Sequence, residues 1–436
     1  MKMEDMILIS VDDHVVEPAD AFEKHAPDKY KDQMPKIVKG TQGEDLWKVE
    51  DISFPNMALN AVAGRRPEEY GMEPTSYEQL RKGTYNVQAR VDDMNANGIL
   101  ASLNFPSVPG VCGQNLEKVK DKALAYAIVQ TWNDWHILEW CGAAPGRFIP
   151  LGIVPTWDPV LAAEEVKRIA KLGCHAITFP PNPSMTGQPS IQSEKWDPLW
   201  KACADNNVNI CMHIADPSGA VPSMDSPVDV FMTNMPVSLY STASDLTFSP
   251  ILRKYPDIRF SLSEGGSGWI PHFMERADFV NAHHVWTNQN FGGLKPSEVF
   301  RKHCFNCFIE DPVAVKLRDD IGIDTMMWEC DYPHSDSTWP KSPELLWESM
   351  KTISAQEVNK ITHLNAMRAY SFDPFLHIEK ADATVGALRA KAEHVYLGYT
   401  DTSKAAGIPP SQHDGVVTFG DILQQLAGLH TVASKD

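Results

Sequence analysis

The chain has 436 residues, 43% of them apolar and 9% aromatic, which is enough for a large core, and its formal net charge is −18. Such a charge argues against nucleic acid and anionic membranes as partners, because their phosphates would repel it. No stretch approaches the ~18 apolar residues of a membrane span, and the opening MKMEDMILIS puts acids ahead of a short apolar run, unlike a signal peptide, so a cytoplasmic protein without a membrane partner is expected.

Strand-like runs recur along the chain. The first is MILISVD at 6–12; others follow at 98–106, 147–155, 174–180, 208–214, 258–264, 304–310 and 325–331. Helical patterns lie between most of them, at 116–140, 159–173, 195–207, 249–256 and 311–322. Strands alternating with helices predict a parallel α/β sheet, and eight such units predict a (β/α)8 TIM barrel over residues 1–373. A doubly wound open sheet is the alternative, but no glycine-rich dinucleotide turn follows any of the strands.

Two parts exceed a minimal barrel. Residues 32–90 are polar with scattered Pro and Gly, and read as an insertion after strand one that covers the mouth. Residues 374–436 form a C-terminal extension, in which the amphipathic stretch Ala383–Tyr399 is expected to pack on another subunit, identical or homologous. The eight cysteines include one CxxC pair, Cys304 and Cys307, with no second pair or His pair to complete a zinc site. They read as reduced core thiols. Trp132, Trp135 and Trp140 share one helical stretch and read as packing residues.

Catalytic groups of a parallel barrel gather where its strands end. Strand one supplies Asp12 and His14 from VDDHVVEP, strand five His213, strand six Glu264, and strand eight Asp331 followed by His334. Each alone has an ordinary reading: a His bonded to a loop, an acid capping a turn. Together they bring imidazoles and carboxylates to one barrel end, the donor set of a divalent metal site. Asp12 and His14 share a side by the two-residue alternation, which turns Asp13 away toward backbone N–H groups.

The motifs DDHVVEP, MHIAD, SEGGSGWIPHFMERAD, DYPHSDSTWP and HLNAMRAYSFD carry a resemblance. From strand one to Asn365–Tyr370 the chain resembles the amidohydrolase superfamily, in its aminocarboxymuconate semialdehyde decarboxylase-like branch. The resemblance implies a metal at the barrel mouth, held by a first-strand acid-x-His pair (Asp12, His14), a fifth-strand His (His213) and an eighth-strand Asp (Asp331). Many members place His at the end of strand six, where this chain has Glu264. That acid enriches the carboxylate set and is similar to what a subgroup of dinuclear non-haem oxygenases needs, with Glu17, Glu264 and His334 around a second ion. The leading expectation is therefore an iron or iron–manganese monooxygenase acting on a small organic acid or amine. The alternative is a mononuclear Zn or Mn hydrolase or non-oxidative decarboxylase of a small carboxylic acid, with Asp331, His334 and Glu264 as acid–base groups and Asp336 orienting His334. A non-catalytic partner subunit is a third reading, opposed by the complete Asp12–His14–His213–Asp331 set.

Overall fold

The computed structural model describes residues 1–40, 43–54, 60–71, 74–214, 221–402, 404–407 and 415–429. The first barrel strand, β1 (Ile9–Val15), is followed by a small antiparallel sheet in the insertion, β2 (Lys36–Lys39), β3 (Asp45–Val49) and β4 (Ile52–Phe54). Seven parallel strands complete the barrel: β5 (Ala101–Pro106), β6 (Phe148–Ile149), β7 (Ala176–Thr178), β8 (Asn209–His213), β9 (Arg259–Ser263), β10 (Cys304–Phe308) and β11 (Met326–Trp328). Every expected strand is present, in the expected order.

Two short contacts close the circle. Gly152 bridges to Ile177 between β6 and β7. At the seam of first and last strands, Asp331 N donates to Asp12 O at 2.7 Å and His14 N to Tyr332 O at 2.7 Å. β1 runs three residues past its expected end because His14 and Val15 still pair with Phe105 and Pro106 of β5. A one-residue bulge between Ser10 and Asp13 interrupts that pairing, and bulges re-aim side chains next to active sites.

Alternate strand residues, among them Ile9, Val11, Leu103, Phe105, Cys211, Cys307 and Met327, build an inner apolar cluster that Ala366, Ala369 and Tyr370 extend. The outer faces of the strands pack on the surrounding helices. All eight cysteines are buried and unbridged, as expected of core thiols. No helix among the described residues is long and apolar enough to cross a membrane.

Part of the C-terminal extension packs on its own chain. Of Ala383–Tyr399 only Val385–Ala390 is helical, and this helix packs on its own chain. Ala383 and Leu388 join the inner cluster, and Val385 N donates to Met6 O at 2.8 Å, below the start of β1. The helix Val87–Asn97 ends at Gly98 in the left-handed conformation (φ +74°), where an added Cβ would lie 2.8 Å from Val385 Cγ1. Further on, the helix Phe419–Leu429 lies beside residues 224–231, joined by the Pro227–Thr418 bridge and by Phe231 against Phe419 at 5.1 Å.

The insertion reaches the mouth beside the last strand. Ala63 N donates to Pro333 O at 3.0 Å, and Asn60 Nδ2 to Ser335 Oγ at 2.9 Å. The extension crosses the same segment: Thr400 N donates to Gly64 O at 2.7 Å, Arg81 Nη2 to Tyr396 O at 2.9 Å, and Ala406 N to Glu78 Oε2 at 2.9 Å.

Candidate metal centre

Asp12 and His14 project from β1, His213 from the end of β8, and Asp331 from the residues just past β11. All four are buried. His14 Nε2 lies 3.4 Å from Asp12 Oδ1 and 3.3 Å from Asp331 Oδ1, and His213 Nε2 lies 3.5 Å from Asp12 Oδ2. One ligand atom from each of Asp12, His14 and His213 falls within 4.8 Å of the others, and the same holds for His14, Asp331 and His334. Both carboxylate oxygens of Asp12 and of Asp331, with His14 Nε2 and His213 Nε2, have no hydrogen-bond partner. Buried polar atoms left without partners are rare and costly. Ligand atoms of Asp12, His14 and His213 that lie within 4.8 Å of one another, with Asp331 Oδ1 3.3 Å from the same His14 Nε2, fit a divalent cation held by imidazoles and carboxylates.

The electrostatics agree. Burial, and then Glu329, Asp331 and Glu264, push the Asp12 carboxyl far up, so nearby positive charge is needed to keep it ionised. Burial, with His334 and His213 nearby, lowers His14 and keeps its imidazole neutral, the form that binds metal. His334 stacks 3.8 Å from the His14 ring and sets Nδ1 2.9 Å from Asp331 Oδ1. Burial alone would lower His334, but the Asp331, Glu264 and Asp336 carboxylates together outweigh it and the net shift is upward. Asp336 contributes to that rise only through its charge; the close ion-pair contact of His334 is with Asp331.

Glu264 follows β9, and its Oε2 lies 2.9 Å from His213 Nε2. Burial first, and Asp331 second, raise its carboxyl. Both Glu264 (φ +66°) and Asp331 (φ +60°) hold left-handed backbone, a conformation that non-glycine residues keep only where the surroundings enforce it.

Glu17 does not join the set. Its Oε1 accepts from Ser107 N at 3.1 Å and Trp132 Nε1 at 2.8 Å, and its Oε2 from Val108 N at 2.9 Å. The expectation of Glu17 as a ligand is corrected: three N–H groups already occupy its oxygens. Trp132 thereby has a specific partner as well as a packing role. Asp13 turns away as alternation requires. Its Oδ1 accepts from Tyr332 N at 3.1 Å and Ser10 Oγ at 3.0 Å, and its Oδ2 faces Arg90 at 4.0 Å. Arg90 also donates to the His14 carbonyl and so braces β1, while the Asp13–Tyr332 bond ties β1 to the segment past β11.

Sequence reasoning missed Glu329, a fully buried acid whose Oε1 accepts from Glu264 N at 3.0 Å. The signal was available: alternation past β11 turns Glu329 and Asp331 to the same side.

A family model described as Amidohydrolase matches residues 84–372. The gamma-resorcylate decarboxylase of Rhodococcus jostii is 22% identical over 353 residues, covering 74% of this chain and 97% of that protein. An amidohydrolase structure from Mycobacterium avium subsp. paratuberculosis superposes with a TM-score of 0.64 at 19% identity, over 83% of this chain and 98% of the other. The 5-carboxyvanillate decarboxylase of Novosphingobium aromaticivorans, solved with manganese and 4-hydroxy-3-methoxy-5-nitrobenzoic acid, superposes with a TM-score of 0.58 at 18% identity, over 85% and 99% of the two chains.

Proposed function

The chain belongs to the amidohydrolase family, and from that premise we propose that it is a manganese- or zinc-dependent, non-oxidative decarboxylase of a small hydroxylated aromatic acid. The observation that carries the metal dependence is the convergence of buried ligand atoms from Asp12, His14 and His213, with Asp331 against the same His14 nitrogen. Support for the reaction class comes from a decarboxylase relative that spans nearly its whole length, and from a structural neighbour of the same activity that holds manganese. The iron oxygenase expectation drew on Glu17 and Glu264 together, and Glu17 is engaged elsewhere. The same fully formed ligand set opposes a non-catalytic partner subunit.

Decarboxylation breaks the bond from ring carbon to carboxylate. The electron pair stays on the ring carbon, which takes up a proton as carbon dioxide leaves. A divalent metal at this centre would bind the acid's oxygens and neutralise their charge. In this reading the imidazoles of His14 and His213 and the carboxyl groups of Asp12 and Asp331 hold it. Glu264 keeps its proton above the usual carboxyl range and is the group that gives it to the ring carbon. His334 and Asp331, 2.9 Å apart, hold a proton beside the site and restore the one Glu264 gives up.

The test is anaerobic turnover by the Mn²⁺-loaded protein on a panel of hydroxybenzoates. Carbon dioxide and the matching phenol should appear in equal amounts; turnover that requires oxygen, or that cleaves an amide or ester instead, overturns the reading. His14→Ala should lose most bound Mn²⁺ with its circular dichroism unchanged, and full metal retention would remove His14 from the ligand set.

A further inference from the structure

Below the ligand set lies a carboxyl group that the reaction above does not use. Glu329 follows β11, fully buried, and its N–H extends the ladder by donating to Phe308 O at 3.0 Å. Nearby interior positions are held by Cys211, Phe305, Cys307 and Met327. A carboxyl in such company costs stability that an apolar side chain of similar size would not. Residues retained against stability are commonly retained for the site they serve.

Glu329 makes one directed bond from this position. Its Oε1 accepts the backbone N–H of Glu264 at 3.0 Å, while Oε2 has no partner. Glu264 is the residue with left-handed backbone at the end of β9, and its Oε2 is set 2.9 Å from His213 Nε2. The anchored amide is therefore the pivot of a strained turn whose side chain meets the metal centre.

We propose that Glu329 is a positioning residue: by accepting the Glu264 N–H it fixes the left-handed turn that carries the Glu264 carboxyl against His213, and so sets the affinity of the centre for its divalent ion. The proposal rests on the metal reading of the centre. A purely structural Glu329 would stabilise the barrel and leave metal affinity alone. The geometry implies the reverse.

Metal-free protein is titrated with Mn²⁺ by calorimetry, alongside Glu329→Gln and Glu329→Met. Groups bonded directly to a metal ligand are worth 10- to 100-fold in metal affinity, and Glu329, one contact further out, is expected at the lower end. Glu329→Gln keeps an acceptor oxygen for the amide and should bind Mn²⁺ within about threefold of wild type. Glu329→Met should bind roughly tenfold or more weakly, with a melting temperature no lower than wild type. In a Glu264→Ala background the methionine change should alter affinity by less than about twofold, because the two residues act as one unit. Undiminished affinity in Glu329→Met overturns the proposal, as does an equal loss in Glu329→Gln, which would make the negative charge itself the working feature. Glu329→Ala replaces the methionine variant if that fails to fold. Wild-type protein that binds no Mn²⁺ would instead defeat the metal reading, so the two failures are distinguishable.

Discussion

Glu17 is a buried acid and Glu264 a partly buried one near the barrel mouth, and their contacts separate their roles. Glu17 meets three N–H donors; Glu264 meets an imidazole. Burial outweighs those donors and pushes Glu17 from an ordinary 4.5 up to about 7. Between these values the unfolded chain releases its proton while the folded protein keeps it. The contribution to stability is thus complete below pH 4.5, and is lost as pH rises toward 7, by at most about 3 kcal/mol. Glu17→Gln removes this dependence. Its melting temperature relative to wild type should rise steadily from pH 4.5 to 7, beneath a pH-independent loss from setting an amide NH2 against N–H donors. Bound Mn²⁺ should be unchanged, and a variant lacking metal would return Glu17 to the centre. The grouping of Asp12, His14, His213 and Asp331 was legible because strand ends and alternation are local patterns. The exclusion of Glu17 was not, since it depends on Trp132, 115 residues away.

Among the elements, the short helix Val385–Ala390 shows what an amphipathic pattern leaves open. Its amphipathic pattern was plain, but a pattern shows only that a face is covered, not which surface covers it. Leu388 packs in the inner cluster near the foot of β1, away from the metal centre. Leu388→Ala should cost about 2–5 kcal/mol in denaturant unfolding and leave Mn²⁺ stoichiometry unchanged. A loss under about 1 kcal/mol would mean that the helix is not part of the core. The barrel strands were legible as β-rich apolar runs, though not their lengths. The run at 147–155 forms only Phe148–Ile149 as strand, because Pro150 and Pro155 offer no N–H to a ladder. The insertion sheet was not legible, since strands of three to five residues with polar outer faces leave no clear period.

For the molecule as a whole, the extension acts as a strap. Tyr396, Thr400 and Ala406 bind the insertion at Arg81, Gly64 and Glu78, and the insertion binds Pro333 and Ser335 on either side of His334. Ending the chain at residue 394 should speed proteolytic cleavage within 60–81 and lower kcat/KM by about tenfold, with Mn²⁺ stoichiometry unchanged. Equal cleavage rates in the two proteins would refute the strap. The seam that closes the barrel has a different consequence, one of timing during synthesis. Asp13 and its partner Tyr332 are 319 residues apart, and Asp12 and His14 leave the ribosome long before Asp331 does. Until then the first strand presents its acids and imidazole with half of the site still to be made. Metal capture is thus tied to closure of the barrel, and a nascent or truncated chain that stops short of β11 has no finished centre in which to keep an ion.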